Sequence, residues 1–217
     1  RLAYYHWLWF KLNSSTENIL ENNFLASFRA IYTNQSELEF RVFNANEYFP
    51  NDFDPTGINS EAPLVGGNTY HTNIFEISYS SNPAKDFYFI SAQNYGKFYD
   101  GTKYSFENSV FFRFQPKLLA SVKLNYDAIK LYHLQKTAKI WLVGPKFDFS
   151  FTKKLYWATL IQFNSQSENL GVNSRLQWRF NGLSNLFLVY NDNYLVRETG
   201  PISPRTRSLN LKITCWF

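Results

Sequence analysis

The sequence lacks any long apolar run, and this absence excludes one whole class of membrane protein. No window of about eighteen consecutive apolar residues occurs, although a membrane-spanning helix needs about twenty. Charged residues are scarce at 18%, whereas 45% of the residues are hydrophobic and 20% are aromatic. The mean hydropathy is nevertheless negative, at −0.35, because polar residues are interleaved with apolar ones throughout. The composition therefore excludes membrane helices and favours strands with one apolar and one polar face.

Methionine is absent and cysteine occurs once, at Cys215. A single cysteine cannot form an internal disulfide, so cysteine usage carries no information about the redox compartment. Cys215 occupies an apolar position of an alternating segment, where we expect a small packing role. Because the chain starts at Arg1 within an aromatic run, we expect the initiator residue and any export signal to lie outside this sequence. The chain is accordingly expected to be a processed form or a fragment.

Where long apolar runs are missing, a regular alternation is present, and it is clearest at residues 208–217. Every second residue from Leu209 to Phe217 is apolar. Alternation with a period of two is typical of a strand that faces lipid on one side and water on the other. The 22 Phe, 15 Tyr and 6 Trp suit the aromatic girdles of such barrels, with a soluble β-sandwich as the competing fold. Phe217 is the expected assembly signal for the barrel-insertion machinery.

The same alternation recurs along the whole chain and predicts an all-β fold. We expect an antiparallel transmembrane β-barrel of about twelve strands, or the C-terminal section of a larger barrel, with residues 1–217 forming one domain. The predicted strands are 2–13, 23–34, 36–48, 68–81, 84–99, 102–115, 117–131, 136–152, 154–166, 169–182, 184–197 and 206–217.

The connections between these segments alternate in length, which predicts the orientation of the chain. The connection at 198–205 is long, the one at 181–184 is a tight turn, and this order repeats along most of the sequence. Outer-membrane barrels have short periplasmic turns and longer outside loops, so we expect the C-terminus in the periplasm of a Gram-negative bacterium. The longest loop, 49–68, is expected outside, either folded over the mouth or in contact with a partner.

Three predicted strands depart from the simple pattern. The eighth contains Gly144-Pro145, and because proline has no amide donor we expect a kink or bulge there. The fifth and eleventh strands are apolar on both faces around 87–90 and 186–190. The sequence therefore leaves the registers of these two strands unassigned.

Charged residues of both signs occupy the predicted inward face. The candidates for lining the barrel interior are Arg29, Arg41, Glu76, Glu107, Arg113, Lys123, Asp127, Arg175, Arg179 and Lys212. The same face carries Lys103, Lys146, Glu37, Glu39 and Asp148. In a narrow barrel such residues pair and fill the interior, and in a wider one they line a channel biased toward anions. The spacing does not choose between these arrangements, and each residue can equally be solvated or paired within the wall.

Two of these candidates, Arg175 and Arg179, are the strongest because they share one face with Gln177. The formal net charge is +5, but the basic residues are spread along the chain rather than clustered. A dispersed distribution argues against a nucleic-acid partner.

The sequence gives only weak support for a metal site or for catalysis. Asp52 and Asp54 stand in a turn without a further acidic ligand, so a solvated turn is favoured over a calcium site. No serine stands at a partnered spacing from His6, His71 or His133, and no Gly-x-Ser-x-Gly turn occurs. We therefore expect no cofactor, no metal and no enzymatic activity, with an outer-membrane hydrolase as the lesser alternative.

Four segments of the chain carry a family resemblance, at 95–101, 160–167, 173–180 and 183–191. They resemble, in the same order, a little-characterised family of outer-membrane proteins that join a family-nine-like carbohydrate-binding domain to a large C-terminal barrel. The resemblance covers roughly 70–217. Gly182 stands where the family has proline and Cys215 where it has tyrosine. The resemblance implies a barrel of more than twelve strands and, by analogy, carbohydrate handling, and it transfers no catalytic residues.

These patterns together predict a passive channel or import component for small polar or carbohydrate-type solutes. The alternative is a non-conducting barrel that serves as an anchor or as a subunit of a larger outer-membrane complex. The expected partners are outer-membrane lipid, the barrel-assembly machinery and, for the alternative, an outer-membrane protein complex.

Overall fold

The chain consists of twelve strands joined by turns and loops. A computed structural model describes residues 1–12, 19–57, 63–134, 137–197 and 200–216. The strands are β1 Leu2–Leu12, β2 Ile19–Ile31, β3 Glu37–Phe49, β4 Asn68–Ser80, β5 Phe87–Phe98, β6 Gly101–Phe114, β7 Leu118–Leu131, β8 Thr137–Thr152, β9 Leu155–Asn164, β10 Asn169–Arg179, β11 Asn185–Leu195 and β12 Ser203–Thr214. One short 3₁₀ turn, Tyr132–Leu134, follows β7. Among the described residues, no helix is long and apolar enough to cross a membrane.

The twelve predicted strands are confirmed, with the largest boundary differences at β2 and β12. β2 begins at Ile19, four residues earlier than predicted, and β12 covers Ser203–Thr214 rather than 206–217. The end of β12 follows from its partner, because β11 begins at Asn185, which pairs with Thr214. Beyond that point Trp216 N donates to Ser184 Oγ at 3.1 Å. Phe217 lies outside the described residues.

All twelve strands belong to one antiparallel sheet in which each strand neighbours the next in sequence. The order runs from β1 to β12 without a crossover, as in a meander. Among the described residues, no pairing joins β1 to β12, so the sheet is not closed on itself. Each edge strand therefore has one neighbour and one unpaired side.

The pairing registers place polar and apolar side chains on opposite faces, as a period of two requires. In β2 and β3, Arg29 pairs with Glu39 while the next pair is Phe28 with Phe40. The registers left open by the sequence are now assigned. β5 pairs with β4 so that Asn94 lies opposite Glu76. In β11, Asn191 lies opposite Asn173 of β10.

Of the kink or bulge expected at Gly144-Pro145, the bulge is not found in the pairing of β8 with β9, and the kink stays a prediction. Val143 pairs with Phe163 and Lys146 with Leu160, and these two pairs have the same register. The register shift in β8 lies nearer its end, between Ser150 and Thr152. Proline removes one ladder donor, but the strand keeps its alignment because the pairs on both sides of Gly144-Pro145 hold it.

The contacts divide the chain into two compact units. The first comprises Arg1–Pro83, Ile90–Asn108 and Asn125–Ile140, and the second Ala84–Phe89, Ser109–Leu124 and Trp141–Phe217. Four strands, β5, β6, β7 and β8, contribute residues to both units, so the division does not fall between consecutive chain segments. That residues 1–217 form one domain stays a prediction.

Apolar burial is slight in both units. In the described chain the buried hydrophobic residues are Ala45, Leu64, Ile129 and Leu131, all of which belong to the first unit. The buried polar and charged residues are Asn23, Ser27, Ser36, Glu39, Thr56, Thr72, Ser105, Ser184 and Asp192. Large apolar side chains are instead exposed, for example Leu209 at 66% and Leu211 at 63%. In a water-soluble protein the distribution is the reverse, with large apolar side chains in the core and polar ones at the surface.

Two glycines give a matched test of the packing between neighbouring strands. A Cβ at Gly96 would lie 1.9 Å from the carbonyl oxygen of Asn73, whereas a Cβ at Gly182 would meet nothing within 4 Å. We expect Gly96→Ala to lower the free energy of unfolding by about 1 to 3 kcal/mol, because the two strands must move apart. Gly182→Ala should change it by less than about 0.5 kcal/mol. Denaturant unfolding checks both values, and equal stability of the two variants would contradict the close approach at Gly96.

Candidate functional site

The first unit carries a row of ion pairs on the polar face of β2, β3 and β4. Arg29 contacts Glu37 and Glu39, both at 3.1 Å. Arg41 contacts Glu39 at 2.9 Å and Glu76 at 3.0 Å. The side chain of Glu39 is only 4% exposed, so it lies at the protected centre of the row.

The strand registers explain why these charges meet. Arg29 and Glu39 are directly opposed across β2 and β3, and Arg41 and Glu76 across β3 and β4. Opposed side chains of antiparallel strands lie close enough to interact directly. Ser27 Oγ also donates to Glu39. Both arginines of the row are therefore paired within the wall, which is the pairing that the sequence left open for Arg29, Arg41 and Glu76.

A second charged group of the first unit lies on β6 and β7. Lys103 Nζ lies 3.5 Å from Asp127 Oδ1, and Ser105 Oγ donates to the same carboxylate. Glu107 is near enough to Glu76 for the two carboxylates to repel each other. Asp127 is thus paired, while Glu107 adds negative charge beside the ion-pair row.

The charges of the second unit are only partly compensated. Lys146 contacts Asp148 at 2.7 Å, and the guanidinium of Arg113 lies 5.4 Å from the ring centroid of Tyr88. Lys123 and Lys146 line one cavity together with Gly144 and Leu160. Lys123 and Lys146 bring positive charge to this cavity, which the contact between Lys146 and Asp148 partly offsets.

The two strongest sequence candidates, Arg175 and Arg179, share the polar face of the second unit with Lys212. Arg175 pairs with Val189 and Arg179 with Asn185 across β10 and β11, while Lys212 pairs with Phe187 across β11 and β12. All three side chains are exposed. None of the three has an acidic partner within 4.0 Å in the described part of the chain. They form an uncompensated positive patch.

A cluster of uncharged amides, which the sequence analysis did not single out, adjoins this positive patch. It lies on the polar face of β9 to β12, and its cross-strand hydrogen bonds order the side chains. Asn173 Nδ2 donates to Asn191, whose own Nδ2 donates to Ser208 Oγ at 3.3 Å. Asn169 Nδ2 donates to Asn193 at 3.4 Å, and Asn193 Nδ2 donates to Thr206 Oγ1 at 3.1 Å.

These amides surround a cavity of about 300 Å³. The lining residues are Leu160, Gln162, Asn164, Ser167, Asn169, Gly171, Val172, Asn173, Asn191 and Asn193. None of them carries a formal charge. Asparagine at alternate positions was the only sign of this cluster in the sequence. Which asparagines lie opposite one another depends on the register of β11, and the sequence did not assign that register.

The described parts of the long loop between β3 and β4, residues 50–57 and 63–67, pack against aromatic residues of the first unit. Phe53 stacks on Phe49, with ring centroids 3.8 Å apart, and meets Tyr70 and Tyr99 edge-on at 5.8 and 5.3 Å. Phe53 also forms a backbone bridge with Leu64. The loop is therefore anchored at the end of the sheet by aromatic packing.

Tyr99 occupies an unusual position under this loop. Its φ of 54° is rare for a bulky residue, and its ring meets that of Phe49 edge-on at 5.9 Å. Burial, together with the neighbouring Glu47 carboxylate and its hydrogen bond, raises the pKa of Tyr99 above its ordinary value. Tyr99 therefore stays neutral and serves as a packing and hydrogen-bonding residue.

The two aspartates considered as calcium ligands instead accept hydrogen bonds from groups within the loop. Asp52 Oδ1 accepts from Gly66 N at 2.6 Å, and Asp54 Oδ1 accepts from Thr56 N and Oγ1 at 2.8 and 2.6 Å. Local bonds of this kind are typical of a turn. In the described ranges, no group of three or more His, Cys, Asp or Glu side chains could hold a metal ion.

The histidines considered for a hydrolase contact amide and carboxylate groups. His71 Nδ1 contacts Asn46 Oδ1, and His133 Nδ1 contacts Asp100 Oδ2. The side chain of His6 lies outside the described residues. A nucleophilic triad requires a hydroxyl or thiol within hydrogen-bond reach of the base, and neither of these two contacts supplies one.

The apolar face of β11 and β12 carries a polar cluster around a buried carboxylate. The carboxylate of Asp192 accepts from the hydroxyls of Tyr190 and Tyr194 at 2.5 and 2.6 Å, and from Arg207 Nε at 2.8 Å. Asp192 is 1% exposed. Because Arg207 belongs to the edge strand, this cluster fastens β12 to β11.

The fold and these sites define an all-β protein with one antiparallel, open, twelve-stranded sheet. No family model matches the chain, and no curated protein or solved structure matches it either. The family resemblance of the four segments between residues 95 and 191 stays a prediction.

Glu39 and Glu37 give a matched test of the ion-pair row. Glu39→Gln should lower the free energy of unfolding by about 1.5 to 3 kcal/mol, because Arg29 and Arg41 lose a protected charged acceptor. Glu37→Gln removes a half-exposed carboxylate and should cost less than about 1 kcal/mol. Denaturant titration of both variants measures the difference. Similar losses for the two would show that Glu39 is not the centre of the row.

Proposed function

We infer that the chain forms the wall of a transmembrane β-barrel in the outer membrane of a Gram-negative bacterium. In this proposal the barrel acts as a passive channel or import component for small polar or carbohydrate-type solutes. Its partners are outer-membrane lipid and the barrel-assembly machinery.

The observation that carries the proposal is the reversed distribution of polar and apolar side chains. Glu39 and Ser27 of the polar face are buried, while Leu209, Leu211 and Ile213 of the apolar face are 56% to 66% exposed. A water-soluble monomer rarely exposes a contiguous apolar patch above a few hundred Å². Lipid removes this cost, because an apolar band faces acyl chains and the alternating polar residues face the interior.

Strand lengths and connections agree with this setting. The strands are 10 to 16 residues long, and about 9 to 11 tilted residues suffice to cross the hydrocarbon layer. The long 49–68 connection lies on the side assigned to the exterior, where Phe53 packs against Tyr70 and Tyr99. This loop would narrow the mouth on the outer side.

Selectivity follows from the charges of each unit. The first unit pairs its arginines with Glu37, Glu39 and Glu76. The second unit leaves Arg175 and Arg179 without acidic partners among the described residues. Uncompensated positive side chains in a pore wall attract anions. The channel is therefore expected to prefer anions.

The open edges of the sheet favour a second candidate function. Backbone groups in lipid must be paired, so β1 and β12 require either each other or further strands. If a partner protein supplies those strands, the chain is a non-conducting anchor or a subunit of a larger outer-membrane complex. An outer-membrane hydrolase is retained only as a lesser alternative.

Planar-bilayer recording separates channel from anchor. The purified full-length protein should conduct and should prefer anions. Arg175→Gln combined with Arg179→Gln should reduce the anion-to-cation permeability ratio about two-fold or more, because two positive charges leave the pore wall. Lys97→Gln, which removes one positive charge from the opposite face of the sheet, is the control and should leave the ratio unchanged. Absence of any conductance would overturn the channel and favour the anchor.

A further inference from the structure

We propose that the amide-lined cavity on β9 to β12 is a binding site for a neutral polyhydroxylated solute, of which the cavity holds one or two sugar rings. This inference rests on the proposed function in one respect, since it places the site on the face that would line the channel. The site itself is argued from its own side chains.

The side-chain amides that line the cavity match the hydrogen-bonding groups of sugar hydroxyls. A side-chain amide offers two donors and a carbonyl acceptor with two lone pairs, and a sugar hydroxyl both donates and accepts. In Asn191 and Asn193 the carbonyl oxygen accepts from a neighbouring asparagine and the amide nitrogen donates to a hydroxyl. Each of these amides therefore keeps two of its four hydrogen-bonding positions for a ligand.

The amide side chains of the cavity are held in place before a ligand binds. The cross-strand bonds link Asn173 to Asn191 and Asn169 to Asn193, and both pairs continue to hydroxyls on β12. Side chains fixed in this way lose less conformational freedom when a ligand binds. The amides are held on regular strands, which position a site more exactly than a loop does.

Gly171 has no side chain and so leaves space between two of the amides. A Cβ at this position would lie 3.2 Å from Asn193 Oδ1 and 3.6 Å from Asn169 Nδ2. The missing side chain thus opens the floor of the cavity between two amides. The cavity volume of about 300 Å³ is at the lower end of the range for small-molecule sites, about 300 to 1,000 Å³.

The absence of charge decides the ligand class. None of the ten residues that line the cavity is ionised, so neither an anion nor a cation gains an ion pair there. An apolar ligand would leave the remaining hydrogen-bonding positions of Asn173 and Asn191 without partners, which is unfavourable. A neutral molecule with several hydroxyls satisfies the lining without either penalty.

Saturation-transfer difference NMR on the full-length protein in detergent micelles tests the proposal, with maltotriose as the neutral probe. The wild-type protein should transfer saturation to maltotriose at about 10 mM, the concentration that suits a millimolar dissociation constant. Gly171→Ala and Asn191→Leu should each weaken binding about ten-fold, because the first fills the cavity floor and the second removes two hydrogen-bonding groups.

Two control variants match these changes outside the cavity. Gly182→Ala adds the same methyl group where nothing lies within 4 Å, and Gln177→Leu removes an amide from the same strand face. Both should bind maltotriose as the wild-type protein does. If Asn191→Leu fails to fold, Gly171→Ala still tests the same cavity.

The outcomes separate this site from the channel. Conductance without maltotriose binding by the wild-type protein would overturn the site and leave the channel standing. Maltotriose binding that Gly171→Ala weakens, in a protein without conductance, would support the site and overturn the channel. Equal maltotriose binding by the wild-type protein and both cavity variants would overturn the site.

Discussion

The backbone hydrogen-bond ladder between neighbouring antiparallel strands is the interaction on which the rest of the structure depends. Every strand from β2 to β11 has a ladder on both sides, whereas apolar burial within the described chain is confined to a few residues such as Ile129 and Leu131. A packed protein core therefore contributes little to the stability of this fold. In the proposed membrane setting the ladder gains importance, because lipid offers no alternative hydrogen-bond partner to the backbone.

The same ladder determines where the functional side chains lie. Fixed registers bring Arg41 opposite Glu76 and thereby form the ion-pair row of the first unit. In the second unit the registers align asparagines on adjacent strands, which yields an ordered amide cluster around Gly171. A shift of any one strand by a single residue would send its inward side chains to the opposite face. The strand registers thus determine which side chains of this sequence meet.

Much of the fold follows from the sequence, because a period of two is a local signal that each segment carries by itself. Strand boundaries were less predictable, since β12 ends at Thr214 only because β11 begins at the opposed Asn185. Pro145 did not show by itself whether the strand is bulged, because the flanking pairs with β9 preserve the register. The charged candidates could be placed on one face, but the pairing of Glu39 and the isolation of Arg175 depend on neighbouring strands. The amide cluster depends on three registers at once, one of which the sequence does not assign.

The central claim is that alternate residues of each strand face lipid and the barrel interior. The most direct measurement is spin-label accessibility along β10, with single cysteines in a Cys215→Ser background and the protein in lipid vesicles. Oxygen, which concentrates in lipid, should relax labels on one face most strongly, and a water-soluble nickel chelate should relax those on the other. The account predicts high oxygen accessibility at Val172, Ser174, Leu176 and Trp178, and high nickel accessibility at Asn173, Arg175 and Gln177. Uniform access of the nickel chelate to all seven positions would contradict it.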